Sequence, residues 1–488
     1  MFRPQKTALA LAVCVLTACQ STQIPLKSEI DLPEGYGQNQ AARGSAETAR
    51  WWQNWHDPVL GRLIEQGLAQ SYDIRIARSR LDEARAQARL AAADTGINSG
   101  ISAEARATHS EINNPLDDGI RGRLAQNPQT EKLGRDTLSG SQNLLAAGIQ
   151  ASWEPDIFGR KRSDADAANY AALGRQEALY GAQLLLAGEI AANYLNARAV
   201  QARRQTAAAN IAVLQKMLQY AQGRFSAGHT GAHDVKQAQS ALAAARAAQS
   251  TLDAEYGAYV RNIAVLTGQV PQQFRLPDSP ADILSAQPEA PSGQTPQGLI
   301  ERRPDLRARA AEVRAYAAKL AGAKADLLPR FTIQFLGQGG RLELEGDRSL
   351  HGWNSLFKIG ISVPLFTNGR IKANIDAADA RLKTALLNYD RTLLTALGEV
   401  DSAYQSQTAL TRQGELLQQS LQQAQSRADG AQKLFRYGSL TLDEALRARL
   451  DEQEARERLI RSQLARAQAT VNLYKALGGG WEETVQAD

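Results

Sequence analysis

No proline occurs between Pro155 and Pro271 or after Pro364. Residues 160–224 and 370–433 can therefore each run as one unbroken helix, roughly 95 Å long at about 1.5 Å per residue. Each closes on a turn signal, Phe225-Ser226-Ala227-Gly228 in one copy and Phe435-Arg436-Tyr437-Gly438 in the other. Gly228 and Gly438 lie 210 positions apart, and the same offset relates Gly159-Arg160 to Gly369-Arg370 and Asn262 with Gly268 to Asn472 with Gly478. The chain is a duplicated unit in one ungapped register. Upstream, Asp73-Ile74-Arg75 matches Asp305-Leu306-Arg307 at an offset of 232, so the second copy lacks 22 residues of the first, and they have to come out of a loop before Gly369.

Ahead of each long helix the period falls to two. Ile97, Ile101, Ala103, Ala105 and Ala107 alternate with Asn98, Gly100, Ser102, Glu104, Arg106 and Thr108, and Leu145, Ala147, Ile149, Ala151 and Trp153 with Gly148, Gln150 and Ser152. In the second half Phe331, Ile333 and Phe335, then Trp353, Phe357, Ile359, Ile361, Val363 and Leu365, alternate with Thr332, Gln334, Asn354, Lys358, Gly360 and Ser362. This predicts one β-hairpin in 97–155 and one in 329–366, each with an apolar and a polar face, and the extra residues fall in the first hairpin's loop. Strands of about ten residues suit a tilted membrane crossing with the polar face on water. Four strands do not close a barrel, for which about eight is the minimum, so copies of the chain would have to share one.

The helices look committed to one another rather than to a sheet. Val235, Ala238, Leu242, Ala245, Leu252, Tyr256, Tyr259, Ile263 and Leu266 fall on heptad a and d positions of the first returning helix. The second returning helix carries two adjacent seams, one through Leu446, Leu450, Ile460 and Leu464 and one through Ala445, Ala448, Ala455 and Leu459. Two seams require two neighbours. The organisation read from these patterns is a helix over 57–96, helical hairpins over 156–268 and 367–478, a crossover or collar over 269–300, a second-half helix over 301–328 and a tail over 479–488. Residues 232–267 and 301–328 together nearly match the length of 160–224, so these two helices are expected to stack end to end as one column. Asp57 is the expected N-cap of the first helix, with Pro58 in its first turn and the run continuing to Asp94. Trp51, Trp52 and Trp55 are expected to pack the arm 19–56 against it rather than to cage a ligand.

Residues 1–18 combine Arg3 and Lys6, a short apolar run and Leu16-Thr17-Ala18 before Cys19, the pattern of a secretory signal. The ending resembles a bacterial lipobox, which implies acylation of Cys19 as the only covalent lipid and, with Gln20 next, outer-membrane delivery. Cys14 would leave with the signal, so the mature chain has no disulfide. Aromatic residues make up only 6% of a chain that is 43% apolar, and the balance is largely alanine, which lets helices pack closely. The formal net charge of +5 is spread among interleaved acids and bases, which argues against a nucleic-acid partner. No GxSxG, P-loop or HExxH stretch is present, and no catalytic residue or cofactor is assigned. His229 and His233 beside Asp234 are metal-like in spacing, but Gly231 at the turn separates them, and they are read as exposed histidines with no metal.

Together the motifs resemble the TolC-like outer membrane factors, in their lipoprotein branch. They are Trp51-Trp52 with Asp57-Pro58, Trp153-Glu154-Pro155-Asp156-Ile157-Phe158-Gly159-Arg160, Arg302-Arg303-Pro304-Asp305-Leu306 with Leu328-Pro329, Val363-Pro364-Leu365-Phe366, and the two turns. The resemblance implies an α+β, predominantly helical fold in which a homotrimer forms a twelve-strand transmembrane β-barrel continuous with a twelve-helix periplasmic α-barrel. It implies a non-enzymatic exit duct of a multidrug efflux pump in the Gram-negative outer membrane, joined to a periplasmic adaptor and an inner-membrane transporter. By the same resemblance Phe225, Gly228, Phe435, Tyr437 and Gly438 mark adaptor-docking tips, and Glu444 and Arg447, with Asp443 beside them, occupy the positions of a pore-closing ring. Arg447 stands where the family carries an acid. The alternative function is a non-conducting helical lipoprotein that spaces the envelope.

Overall fold

A computed structural model of the chain describes residues 28, 30–37, 42–344 and 348–481. Its elements are α1 (Pro58–Gln70), α2 (Tyr72–Ala93), β1 (Asn98–Asn113), α3 (Asp118–Ala125), β2 (Thr137–Trp153), α4 (Arg160–Ser226), α5 (Ala232–Leu266), α6 (Pro296–Arg302), α7 (Pro304–Ala325), β3 (Arg330–Leu344), β4 (Arg348–Ser362), α8 (Arg370–Arg436) and α9 (Leu442–Ala476). The duplication is carried to the residue: α4 and α8 are both 67 residues, α5 and α9 both 35, and α2 and α7 both 22. The extra residues of the first half lie in the β1–β2 loop, where α3 and a 3-10 turn fold on themselves around the Asn114 amide, which donates to the carbonyls of Leu133 and Arg135 at 2.7 Å.

By backbone contacts the chain divides into two units. One holds the sheet, four antiparallel strands in the order β1-β2-β3-β4. At 15 to 17 residues these strands are longer than the ten expected from sequence. The apolar alternation covers only their helix-proximal part, from Phe331 and Ile361 out to Trp353, and a pleated ladder continues beyond it because backbone pairing does not depend on side-chain polarity. The apolar face lies open: Ile101 is 87% exposed, and Phe357, Ile359 and Ile361 are each about two-thirds exposed. Within this unit Trp153 donates its indole N–H to Thr95 O at 3.3 Å, and Phe158 packs near Phe331.

The other unit has its core in the middle of the long helices. Trp51, Trp52 and Trp55 form one short 3-10 turn and are buried with α1, the Leu186–Ala199 stretch of α4, the ends of α5 and α9, and Phe274, Ile283 and Leu284 of the crossover. Trp51 stacks on Tyr474 at 5.5 Å and meets Trp52 and Trp55 edge-on, so the chain itself fills the aromatic cluster. Residues 42–50 run beside the crossover, where Gly44 exchanges backbone hydrogen bonds with Ala290 and Ser292. Nothing larger than glycine fits there, since a Cβ would sit 2.4 Å from Glu289 O.

Two expectations about the shorter helices are corrected. The run from Val59 to Asp94 breaks at Ser71, and the run over 301–328 breaks at Arg303, the equivalent position under the offset of 232. In the second copy the break is explained by Pro304, which lacks an N–H and pushes Arg303 to extended backbone. In the first copy Ser71 adopts the same kind of turn and its Oγ accepts from Asp73 N at 3.3 Å. The end-to-end partners also differ from the length argument. The end of α5 abuts the α1–α2 junction, with Gly268 against Gln70 O, and the end of α9 abuts the α6–α7 junction, with Gly478 against Arg303.

Arg303 holds the second junction. Its guanidinium donates to Asp305 at 2.7 and 2.9 Å, to Glu399 of α8 at 2.7 Å and to Ala476 O at 3.1 Å. Burial works to raise the Asp305 pKa, but the hydrogen bonds and charge of Arg303 outweigh it and hold the carboxyl below its usual value. At the start of α1 Asp57 Oδ1 accepts from Val59 N at 2.8 Å and Leu60 N at 3.2 Å, while Oδ2 accepts the buried Tyr194 hydroxyl at 2.7 Å. Burial, then the Asp57 hydrogen bond, pushes the Tyr194 pKa up. Asp57→Ala removes a cap and leaves the Tyr194 hydroxyl unpaired, and is expected to cost about 2–3 kcal/mol. Tyr194→Phe is expected to cost about 1 kcal/mol. Denaturant melts of the two purified variants check the ranking.

Candidate functional site: the tip turns and the constriction residues

Both long helices end the same way. Gly228 and Gly438 take φ of 76° and 72°, the left-handed region open to glycine without Cβ strain. At the first turn Gly228 N donates to Phe225 O and His229 N to Arg224 O; at the second, Gly438 N donates to Phe435 O and Ser439 N to Leu434 O. Each is a Schellman closure that satisfies the last carbonyls of the helix before the chain reverses. The turn side chains are left outward: Phe225 is half-exposed, Phe435 is 36% exposed and Tyr437 85%. His229 and His233 are both exposed, and Thr230 Oγ1 bonds Asp234 Oδ2 between them. Among the described residues no group of three or more His, Cys, Asp and Glu side chains is placed to hold a metal.

Asp443, Glu444 and Arg447 lie in the first turns of α9, and the structure gives each a partner within the chain. Thr441 and Glu444 form a capping box: Thr441 Oγ1 accepts from Glu444 N at 3.3 Å, and Glu444 Oε2 accepts from Thr441 N at 2.9 Å and Thr441 Oγ1 at 2.7 Å. Those hydrogen bonds hold the Glu444 carboxyl below its usual pKa, with Arg447 adding a smaller effect. Arg447 Nε pairs with Asp443 Oδ2 at 2.8 Å across one helical turn. The spacing of four residues that puts Asp443 and Arg447 on one face is also what lets them neutralise each other.

Deeper in the hairpin, a charged cluster that sequence reasoning passed over pins α9 to α8. Glu452 is nearly fully buried and accepts from Arg449 and from Arg456 at 3.0 Å. Arg449 also reaches across to Asp429 at 3.1 Å and Gln432 at 2.9 Å. Burial pulls the Arg449 pKa down, but Glu452 and Asp429 together raise it above its ordinary value. Further along, Arg203 of α4 bridges Glu457 of α9 at 2.7 Å and Glu255 of α5 at 3.4 Å, tying one helical hairpin to the other. The run Asp451-Glu452-Gln453-Glu454-Ala455-Arg456-Glu457-Arg458 reads as a solvated face. The available signal was Glu452 lying in register with the alanine seam of Ala445, Ala448 and Ala455.

Residues 63–269 and 295–479 match the family described as outer membrane efflux protein. The chain belongs to that family. As an outer membrane efflux protein it is similar to the pyoverdine export outer membrane protein OpmQ of Pseudomonas aeruginosa, with 29% identity over 485 residues and 98% of each chain covered. It is likewise similar to the cation efflux system protein CusC of Escherichia coli, with 25% identity over 485 residues and 98% of each covered. Among solved structures, the outer-membrane channel OprN superposes with a TM-score of 0.77 at 25% identity, covering 93% of this chain and 98% of that one. The fold is that of the TolC-like channels, α+β and predominantly helical, and the protein is an outer membrane efflux channel. No helix among the described residues is long and apolar enough to cross a membrane.

Glu452→Ala takes from the partly exposed Arg449 and Arg456 the buried carboxylate they share and is expected to destabilise the second tip hairpin by about 1–2 kcal/mol. Amide hydrogen exchange over 425–460 should rise in that variant while the strand amides keep their protection.

Proposed function

We propose that three copies of the chain assemble into the exit duct of a tripartite efflux pump. The observation that carries this is the sheet itself: an open apolar face flanked by two strands, β1 and β4, with no neighbour on their outer edges among the described residues. In hydrocarbon an unpaired strand edge costs several kcal/mol per backbone group, so β4 of one copy pairs with β1 of the next until the sheet closes. Three copies of four strands give a twelve-strand barrel, above the minimum for closure and wide enough for a lumen. The outward band of nine residues from Trp353 to Ile361 fits a tilted membrane strand.

In this reading Cys19, which lies outside the described residues, is acylated and adds a second anchor. Phe225, Gly228, Phe435, Tyr437 and Gly438 face a periplasmic adaptor, which links the duct to an inner-membrane transporter. Transport proceeds through the duct without a catalytic residue, metal or further cofactor. Glu444 contributes a negative ring at the resting tip. Arg447, with its charge balanced by Asp443, replaces the second negative ring of the family by a nearly neutral one.

Planar-bilayer recordings test this directly. The purified protein is expected to open channels that prefer cations, and a chain that inserts but never conducts would favour the spacer alternative. Reversal potentials in a salt gradient should show lower cation preference in Glu444→Gln and higher preference in Arg447→Asp, which frees Asp443 and adds a second acid. Identical selectivity in both variants would remove these residues from the pore.

A further inference from the structure

Inside the chain α7 and α9 lie on one strip of α4. Gly174, Gly181 and Gly188 mark it. A Cβ at Gly174 would sit 3.9 Å from the Cβ of Ala311, one at Gly181 3.8 Å from the Cβ of Pro304, and one at Gly188 2.7 Å from the Lys475 side chain. Leu184 is buried in the same strip, and so is Glu177, which pairs with Arg307 of α7 at 2.8 Å. Steps of three and four residues keep 174, 177, 181, 184 and 188 on one helix face.

Shifted by the offset of 210, the strip becomes Thr384, Leu387, Arg391, Leu394 and Gly398 of α8. Among the described residues it lies open: Leu387 and Leu394 are 64% and 58% exposed, and a Cβ at Gly398 would meet no atom within 4 Å. The residues that cover α4 have equivalents too. Pro304 and Ala308 of α7 correspond, at the offset of 232, to Tyr72 and Ile76 of α2, and Lys475 of α9 corresponds to Val265 of α5. These three are 62%, 49% and 61% exposed. Large apolar side chains therefore stand open on two faces whose equivalents are packed together inside the chain.

We infer that α2 and α5 of one copy lie on α8 of the next in the register in which α7 and α9 lie on α4, with Val265 seated on Gly398 and Ser79 beside Thr384. The inference rests on the trimer proposed above, to which it adds the faces, the register and the residues of the helical contact. The two interfaces differ in chemistry. Where the internal one holds Lys475 and the Glu177–Arg307 pair, the contact between copies holds Val265, and Leu387 against the stem of Arg75. Arg391 stands in place of Gly181, and the ring of Tyr72, in place of Pro304, gives its guanidinium a face to lie on. Burial of apolar surface rather than ion pairing joins the copies.

Disulfide formation reads this register. The separation of 3.9 Å at Gly174 and Ala311 is close to the Cβ–Cβ distance across a disulfide, about 3.8 Å. The equivalents of these two positions are Thr384 and Ser79. Full-length Ser79→Cys with Thr384→Cys, oxidised in membranes with copper phenanthroline, is expected to run as covalent dimers and trimers on boiled, non-reducing gels. The parent chain, whose only cysteines are Cys14 and Cys19, and each single variant should run as monomers. Moving one cysteine by a helical turn, as Arg75→Cys or Glu83→Cys with Thr384→Cys, should lower the crosslinked fraction at least about fivefold, because the Cβ atoms then stand too far apart. Val265→Cys with Gly398→Cys reads the α5 contact separately and is expected to crosslink even if the first pair does not assemble. Shifted pairs that crosslink as well as the matched ones, or no crosslink in either matched pair, in protein that runs as trimers when unboiled, would overturn the register and leave the trimer standing. A parent chain with the mass of a monomer in detergent would overturn the trimer, and the register with it.

Discussion

Every backbone N–H and C=O placed in hydrocarbon has to find a partner within protein, and the described residues bring four strands to meet that condition. The duplication turns the shortage into a rule for assembly. β2, the last strand of one repeat, pairs antiparallel with β3, the first strand of the next. In the proposed trimer the same relation, repeated between chains, joins β4 to β1. Internal and intermolecular neighbours are then equivalent in kind, and closure needs no new type of contact.

The helices obey a parallel constraint. Alanine seams bring the long helices close, and the junctions at Ser71 and Arg303 let shorter helices abut the returning ones. Close packing leaves little room for charge, so the charged groups that are buried come with partners. Arg303 reaches two carboxylates and a carbonyl, and Glu452 takes two guanidinium groups. Such groups contribute geometric definition more than net stability, since desolvation offsets much of their attraction. Their placement at helix junctions and in the tip hairpin puts that definition where the path of the chain changes.

At the start of α9 the charges are arranged differently. Glu444 closes the helix end, and Asp443 pairs with Arg447 within one turn. The residues that would ring a pore are thus already engaged inside each chain. Any pairing between copies has to compete with those local contacts, which are exposed and correspondingly weak.

Much of this was legible in the sequence because it depends on local periods and on fixed offsets. The proline-free runs, the glycine turns, the Asp57 cap, the period-two hairpins and the offset of 210 all reappear in the fold. Strand length was underestimated, since side-chain alternation marks what faces lipid and backbone pairing continues past it. The stacking of helix ends could not be read from lengths, because α2 and α7 both have 22 residues and either would complete a column. Only the crossing taken by residues 269–295 decides that α5 meets α2 and α9 meets α7. The partners of Glu452 and Arg203 were likewise settled by tertiary structure. They join residues on separate elements, and no periodicity within one element specifies what stands opposite it.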